Sequence, residues 1–187
     1  MKKLYTGALL LAGALIFCGC AAPDEADEGF LNASPDTGEY VYTYPATWTQ
    51  VRDDNMCVIE YADTVVDEEG RKIYDRVNIS SVTYTLSGEF EDIDDYVNRD
   101  TVGYIALMRD TFGEKVEIVE VTDDNLDIVP AKRIVYHIRV GQDEYHFVTV
   151  PGINNNVLYD ITYTAAGDNF EEHLPTLDNV VKSFKFN

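Results

Sequence analysis

Tyr42-Thr43-Tyr44-Pro45-Ala46-Thr47-Trp48 is the stretch on which the reading of the fold turns. Residues 40–44 alternate tyrosine with β-branched side chains, the period of two that sends neighbours to opposite faces of a strand. Pro45 lacks the N–H that a strand ladder needs, so this first strand ends there. Toward the C-terminus, residues 56–66 and 72–85 are long runs rich in β-branched and aromatic side chains. Asp67-Glu68-Glu69-Gly70 lies between them as a turn, with Gly70 free to take positive φ. Further strands are predicted over 115–122, 126–140, 143–150 and 156–165, with turns at Asp123-Asp124-Asn125, Gly141-Gln142 and Pro151-Gly152-Ile153-Asn154.

Two segments carry a helical period instead. Ile93, Val97, Tyr104, Ile105, Met108 and Phe112 recur at helical spacing, behind acids at Glu91, Asp92, Asp94 and Asp95 that suit a helix N-terminus. Phe170, Leu174, Leu177, Val181 and Phe184 form a second stripe, which Pro175 interrupts. The continuous helix is therefore expected to start at Pro175, where a first turn tolerates proline. Strands grouped with helices, without βα alternation, predict an α+β class: a mainly antiparallel β-sheet flanked by two principal helices.

The first strand and the ending also carry a family resemblance. The aromatic-x-aromatic-Pro-x-x-Trp pattern of residues 42–48 resembles the opening of the PsbP-like (Mog1/PsbP) superfamily. So does the ending, in which the strand Leu158-Tyr159-Asp160-Ile161-Thr162-Tyr163-Thr164-Ala165 precedes a helix closing in Val180-Val181-Lys182-Ser183-Phe184. The resemblance spans residues 40–187 and implies that Trp48 covers the core. It implies a theme of binding to protein partners, since the family includes photosystem II accessory proteins, a partner of a nuclear-transport factor and many bacterial lipoproteins. It carries over no functional residue.

Before residue 40 the composition changes. Residues 1–19 read as a secretory leader, with Lys2 and Lys3 ahead of an apolar run from Gly7 to Phe17 that is too short to span a bilayer. Phe17-Cys18-Gly19-Cys20-Ala21 resembles a bacterial lipobox. Gly19 is the small residue accepted before the acylated cysteine, so Cys20 is the expected lipidation site and Phe17 excludes Cys18. A diacylglyceryl-Cys20 supplies the two chains that lasting attachment to a lipid bilayer needs. Residues 20–39 then read as that cysteine and a flexible acidic tether, rich in acids and holding no base. A random coil of that length spans roughly 25 Å. The folded domain is expected over 40–187. With Cys18 lost and Cys20 acylated, only Cys57 remains a thiol, within the apolar run Met56-Cys57-Val58-Ile59, and reads as a small buried hydrophobe.

The chain has 187 residues, with 34 Asp plus Glu against 14 Lys plus Arg, a formal net charge of −20. Loss of Lys2 and Lys3 with the leader leaves 12 bases against the 34 acids, or −22. That charge excludes a nucleic-acid partner and an electrostatic hold on anionic lipid. At 45% hydrophobic residues, the composition also excludes wholesale disorder.

No cofactor motif is present: neither Gly-x-Gly-x-x-Gly, a phosphate loop, Gly-x-Ser-x-Gly nor His-Glu-x-x-His occurs. The adjacent acids Asp53-Asp54, Glu68-Glu69, Asp94-Asp95 and Asp123-Asp124 read as solvated surface. Asp123-Asp124-Asn125-Leu126-Asp127 begins like a calcium loop and then fails, with Ile128 where glycine and Ile134 where glutamate should stand. If Gly141-Gln142 is a two-residue hairpin turn, Val140 pairs with Asp143, Arg139 faces Glu144 and His137 faces His146, with Tyr136, Ile138 and Phe147 on the core side. Two facing histidines could bind zinc or copper, but a tight zinc site wants three or four ligands, so no metal site is assigned. Tyr40, Tyr42, Tyr159 and Tyr163 would form a binding patch if exposed. The function expected is that of a membrane-anchored, extracytoplasmic, bacterial lipoprotein without catalytic or cofactor sites, which binds a protein or envelope partner. The alternative is a small-ligand or cation-binding lipoprotein accessory to transport.

Overall fold

A computed structural model describes residues 29–61, 64–66, 72–74, 77–141, 143–166 and 169–187. The leader, Cys20 and the Asp67–Gly70 turn lie outside them. In chain order, β1 (Phe30–Ala33) and β2 (Tyr40–Pro45) precede a hairpin of β3 (Thr49–Asp53) and β4 (Met56–Tyr61). β5 (Thr64–Val66) and β6 (Lys72–Tyr74) pair with each other, and β7 (Val77–Thr85) leads to helices α1 (Ile93–Asn98) and α2 (Tyr104–Phe112). A meander of long strands follows: β8 (Val116–Leu126), β9 (Val129–Val140), β10 (Asp143–Asn154) and β11 (Val157–Ala166). Helix α3 (Asn169–Ser183) then runs into the short β12 (Lys185–Phe186).

The main sheet has the order β3-β4-β7-β11-β10-β9-β8, and every pairing is antiparallel. β1, β2 and β12 form a second antiparallel sheet. One face of the main sheet meets α3 and this small sheet, burying Tyr40, Tyr42, Ile79, Ile161, Tyr163, Leu177 and Phe184. The other face meets α1 and α2 through Val97, Ile134, Tyr136 and Leu158. The period of two is visible directly in β7, where Val77, Ile79, Ser81 and Thr83 are buried on the α3 face. The α+β class is as expected, while three helices stand where two were predicted.

The differences have physical reasons. Residues 30–39 belong to the fold and not to the tether: Phe30–Ala33 pairs with β2, and Gly29 accepts a hydrogen bond from the Ala46 N–H. A four-residue strand with only Ala33 fully buried leaves no alternation to read. The helix expected across 92–112 is two helices, because Arg99 turns extended and its carbonyl accepts the Gly103 N–H. A Cβ at Gly103 would lie 2.5 Å from the Arg99 carbonyl oxygen, so glycine permits this tight reversal.

α3 begins at Asn169 and carries Pro175 inside it. An interior proline costs about 3 kcal/mol. Burying Leu177, Val180 and Phe184 completely stabilises by about 1.5–3 kcal/mol each, which outweighs it. Asp123, Asp124 and Asn125 lie on β8, and the turn falls at Asp127, with φ of 53°. Pro151 to Asn154 likewise belong to β10, and the turn uses Asn155 and Asn156 at φ of 51° and 63°. Asparagine tolerates that left-handed region, which favours this hairpin turn.

Candidate functional site

The hairpin at Gly141 has the register expected from its two-residue turn: Val140 opposite Asp143, Arg139 opposite Glu144, and His137 opposite His146. Pairing of β8 with β9 adds Glu117 opposite His137. Tyr136, Ile138 and Phe147 point the other way, into the core under α1 and α2. The polar row is thus a consequence of period-two alternation around a fixed turn.

The two imidazole rings lie 4.0 Å apart between centroids, and His146 also packs on Phe170 of α3 at 5.3 Å. Glu144 Oε1 lies 3.7 Å from His137 Nδ1 and 3.4 Å from His146 Nε2. Its second oxygen, Oε2, accepts a 2.7 Å hydrogen bond from Arg139 Nε, and Arg139 also reaches Glu117 at 3.6 Å. Burial and then the neighbouring His146 hold the His137 pKa below its ordinary value. The Arg139 hydrogen bond holds Glu144 below the usual carboxylate range. Near neutral pH this leaves a neutral imidazole at His137 beside an ionised carboxylate, both in ligating form.

One ligand atom from each of His137, Glu144 and His146 lies within 4.8 Å of the others. Ligands around zinc at about 2.1 Å sit roughly 3.4 Å apart, so side-chain rotation would have to close the triangle. Glu144 is the member that pair-by-pair reading gave to Arg139 alone. Its signal was the spacing Glu144-Tyr145-His146, which puts both side chains on one strand face.

The other candidates are drawn into structural roles. Lys132 binds Asp94 and Asp123, each at 2.5 Å. Arg133 binds Asp124 at 3.0 Å and Asp178 at 2.8 Å. Asp127 Oδ1 accepts from Lys185 Nζ at 2.6 Å. The calcium-like acids therefore face cations of the chain itself. Tyr40, Tyr42, Tyr159 and Tyr163 are buried and form no surface patch. Cys57 is fully buried, and Trp48 is covered against Tyr61 and His173.

Together, the antiparallel meander, the helices on both its faces and the proline-ended aromatic strand with its buried Trp48 define an α+β domain of the Mog1/PsbP kind. The PsbP family model matches residues 28–186. The chain belongs to the PsbP family. Among solved structures it is similar to the solution structure of cyanobacterial PsbP (CyanoP) from Synechocystis sp., with 16% identity and a TM-score of 0.59 over 89% of this chain and 98% of that one. It is also similar to LpqN of Mycobacterium tuberculosis, described as involved in cell envelope biogenesis, with 9% identity and a TM-score of 0.57 over 79% and 83% of the two chains. The Ran-binding protein Mog1p of Saccharomyces cerevisiae matches at 9% identity and a TM-score of 0.53 over 84% and 95%. At these identities the likeness is one of fold. No curated protein matches the sequence significantly.

Proposed function

We propose that the chain is a membrane-anchored extracytoplasmic lipoprotein that acts as a non-enzymatic accessory module, binding a protein or another envelope component. The observation that supports this reading is how few residues separate Cys20, the expected anchor, from the described fold. Among the described residues, hydrogen bonding to the domain is already present at Gly29, nine residues after Cys20. In any conformation nine residues reach at most about 30 Å. A diacylated Cys20 would hold the domain against the headgroup layer, at a height suited to a partner embedded there. No helix among the described residues is long and apolar enough to cross a membrane. The acyl chains would be the attachment, since a charge of −22 repels anionic lipid. The shared fold of LpqN, whose description concerns the cell envelope, supports the same setting.

Metabolic labelling with an alkynyl fatty acid tests the anchor. Label and membrane association should be lost in Cys20→Ala and kept in Cys18→Ala. Retention of both in Cys20→Ala refutes the anchor. Capture from cross-linked envelope tests the module, and recovery of no specific partner counts against it.

A second reading, a cation-binding lipoprotein, is favoured by the His137-Glu144-His146 triangle. Zinc should shift the side-chain NMR signals of both histidines in a saturable way. Unchanged signals remove this reading.

A further inference from the structure

On the face of the sheet opposite the histidines, a cavity of about 270 Å³ opens between α2 and the strands β7 and β11. Its walls are aromatic and apolar, formed by Tyr84, Tyr96, Tyr104, Leu107 and Met108. Asp160 is the carboxylate in its lining, which holds no Lys or Arg. Asp160 lies on β11, where Leu158 on the same face packs into the core under α1 and α2. Its Oδ1 accepts hydrogen bonds from the hydroxyls of Thr149 and, at 3.3 Å, Thr162. Oδ2 accepts none from the described residues. The site is therefore a carboxyl group with one oxygen that accepts from no described residue, set among aromatic side chains with no Lys or Arg in the lining.

We propose that this cavity binds a small organic cation, a protonated amine or a methylated ammonium, with its charge against Asp160 and its apolar part among Tyr96, Tyr104 and Met108. Three features converge on that chemistry. A partly buried carboxylate without a cationic partner is unfavourable in the free protein, and a bound ammonium supplies the partner. Tyr96 and Tyr104 both line the cavity, with ring centroids 6.3 Å apart at 52°, and aromatic rings close to a cation attract it through their quadrupole. The volume of about 270 Å³ suits a small organic ligand. Burial raises the Asp160 pKa, and a cation would lower it again. Tyr84 and Leu107, 52% and 47% exposed, leave the mouth accessible. The net charge of −20 favours the approach of a cation.

Benzylamine, benzyltrimethylammonium and the neutral benzyl alcohol are the probes, titrated into the purified protein and followed by calorimetry and by NMR of the tyrosine rings. Both cations should bind saturably and shift the Tyr96 and Tyr104 signals, leaving those of His137 and His146 in place. The alcohol should bind at least about tenfold more weakly. Asp160→Asn keeps an oxygen for the two threonines and should abolish the preference for cations. Leu107→Trp, placed at the mouth, should weaken both cations without changing the fold. Equal binding of cation and alcohol, shifts confined to surface acids, or no binding overturns the proposal.

Discussion

Removing the Ser81 hydroxyl should expose how the two halves of the larger core are joined. Ser81 is 1% exposed, and its hydroxyl is saturated. Oγ donates to the Cys57 carbonyl at 3.1 Å and accepts from the Tyr40 hydroxyl at 2.8 Å. It pairs with the Tyr42 hydroxyl at 3.1 Å, which must then be the donor, because the one Ser81 proton is used on Cys57. The bonds tie β2 of the small sheet to β7 of the main one. In Ser81→Ala, Tyr40 keeps the Ser81 carbonyl at 3.1 Å, but Tyr42 loses its hydroxyl partner. The nearby Cys57 thiol is a weak acceptor and recovers little. An orphaned buried hydroxyl costs about 1–3 kcal/mol and the lost bond to Cys57 about 1 more, so the variant should lose about 2–4 kcal/mol. At about 2–4 °C per kcal/mol for a domain of this size, melting should fall by about 5–15 °C. The double-mutant cycle gives the sharper test. Tyr42→Phe should destabilise the parent by about 0.5–1.5 kcal/mol and be neutral or stabilising in the Ser81→Ala background, where it removes the orphan. Urea unfolding of the four proteins measures this. A loss under about 0.5 kcal/mol in Ser81→Ala, or losses that simply add, would refute the account.

Other expectations follow from single residues. Gly103→Ala places a Cβ within 2.5–2.9 Å of three backbone atoms of Arg99 and Tyr96, and should cost about 2–3 kcal/mol in urea unfolding; an unchanged midpoint contradicts the tight reversal. Pro175 is exposed and its position lacks the helical N–H, so Pro175→Ala should stabilise by about 1–2 kcal/mol, and a lower melting temperature refutes this. Burial raises the Asp160 pKa. The folded state therefore holds this proton more tightly than the unfolded chain, and stability from this group is lost as pH rises through its folded pKa. Asp160→Asn should match the parent near pH 3, below the ordinary carboxylate range, and exceed it in stability at pH 7; a constant difference across that range refutes the assignment.

Legibility in the sequence tracked how local the determining contact was. The register of His137 on His146 was readable because a two-residue turn sets it and alternation carries it along both strands. Trp48 was readable only through the family resemblance, since its covering partners Tyr61 and His173 come from distant segments. Glu144 was assigned to Arg139, and only the three-dimensional triangle shows that its other oxygen faces both imidazoles. Asp160 carries no signal in the sequence, being one acid among 34. Its cavity needs β11, β7 and α2 together, elements far apart in the chain.

The amino-acid order was sufficient for the α+β class and the hairpin register, and it carries the expectations of an anchor at Cys20 and of no nucleic-acid partner, because these depend on turn chemistry, on periods of two and 3.6, and on net charge. Where the domain begins, how the 92–112 segment breaks at Gly103 and whether α3 runs through Pro175 depended on burial between segments remote in sequence. Such burial outweighs local preference by several kcal/mol. The same packing buries Tyr40, Tyr42, Tyr159 and Tyr163, which would form a patch only if exposed, and leaves a carboxyl group in an aromatic cavity.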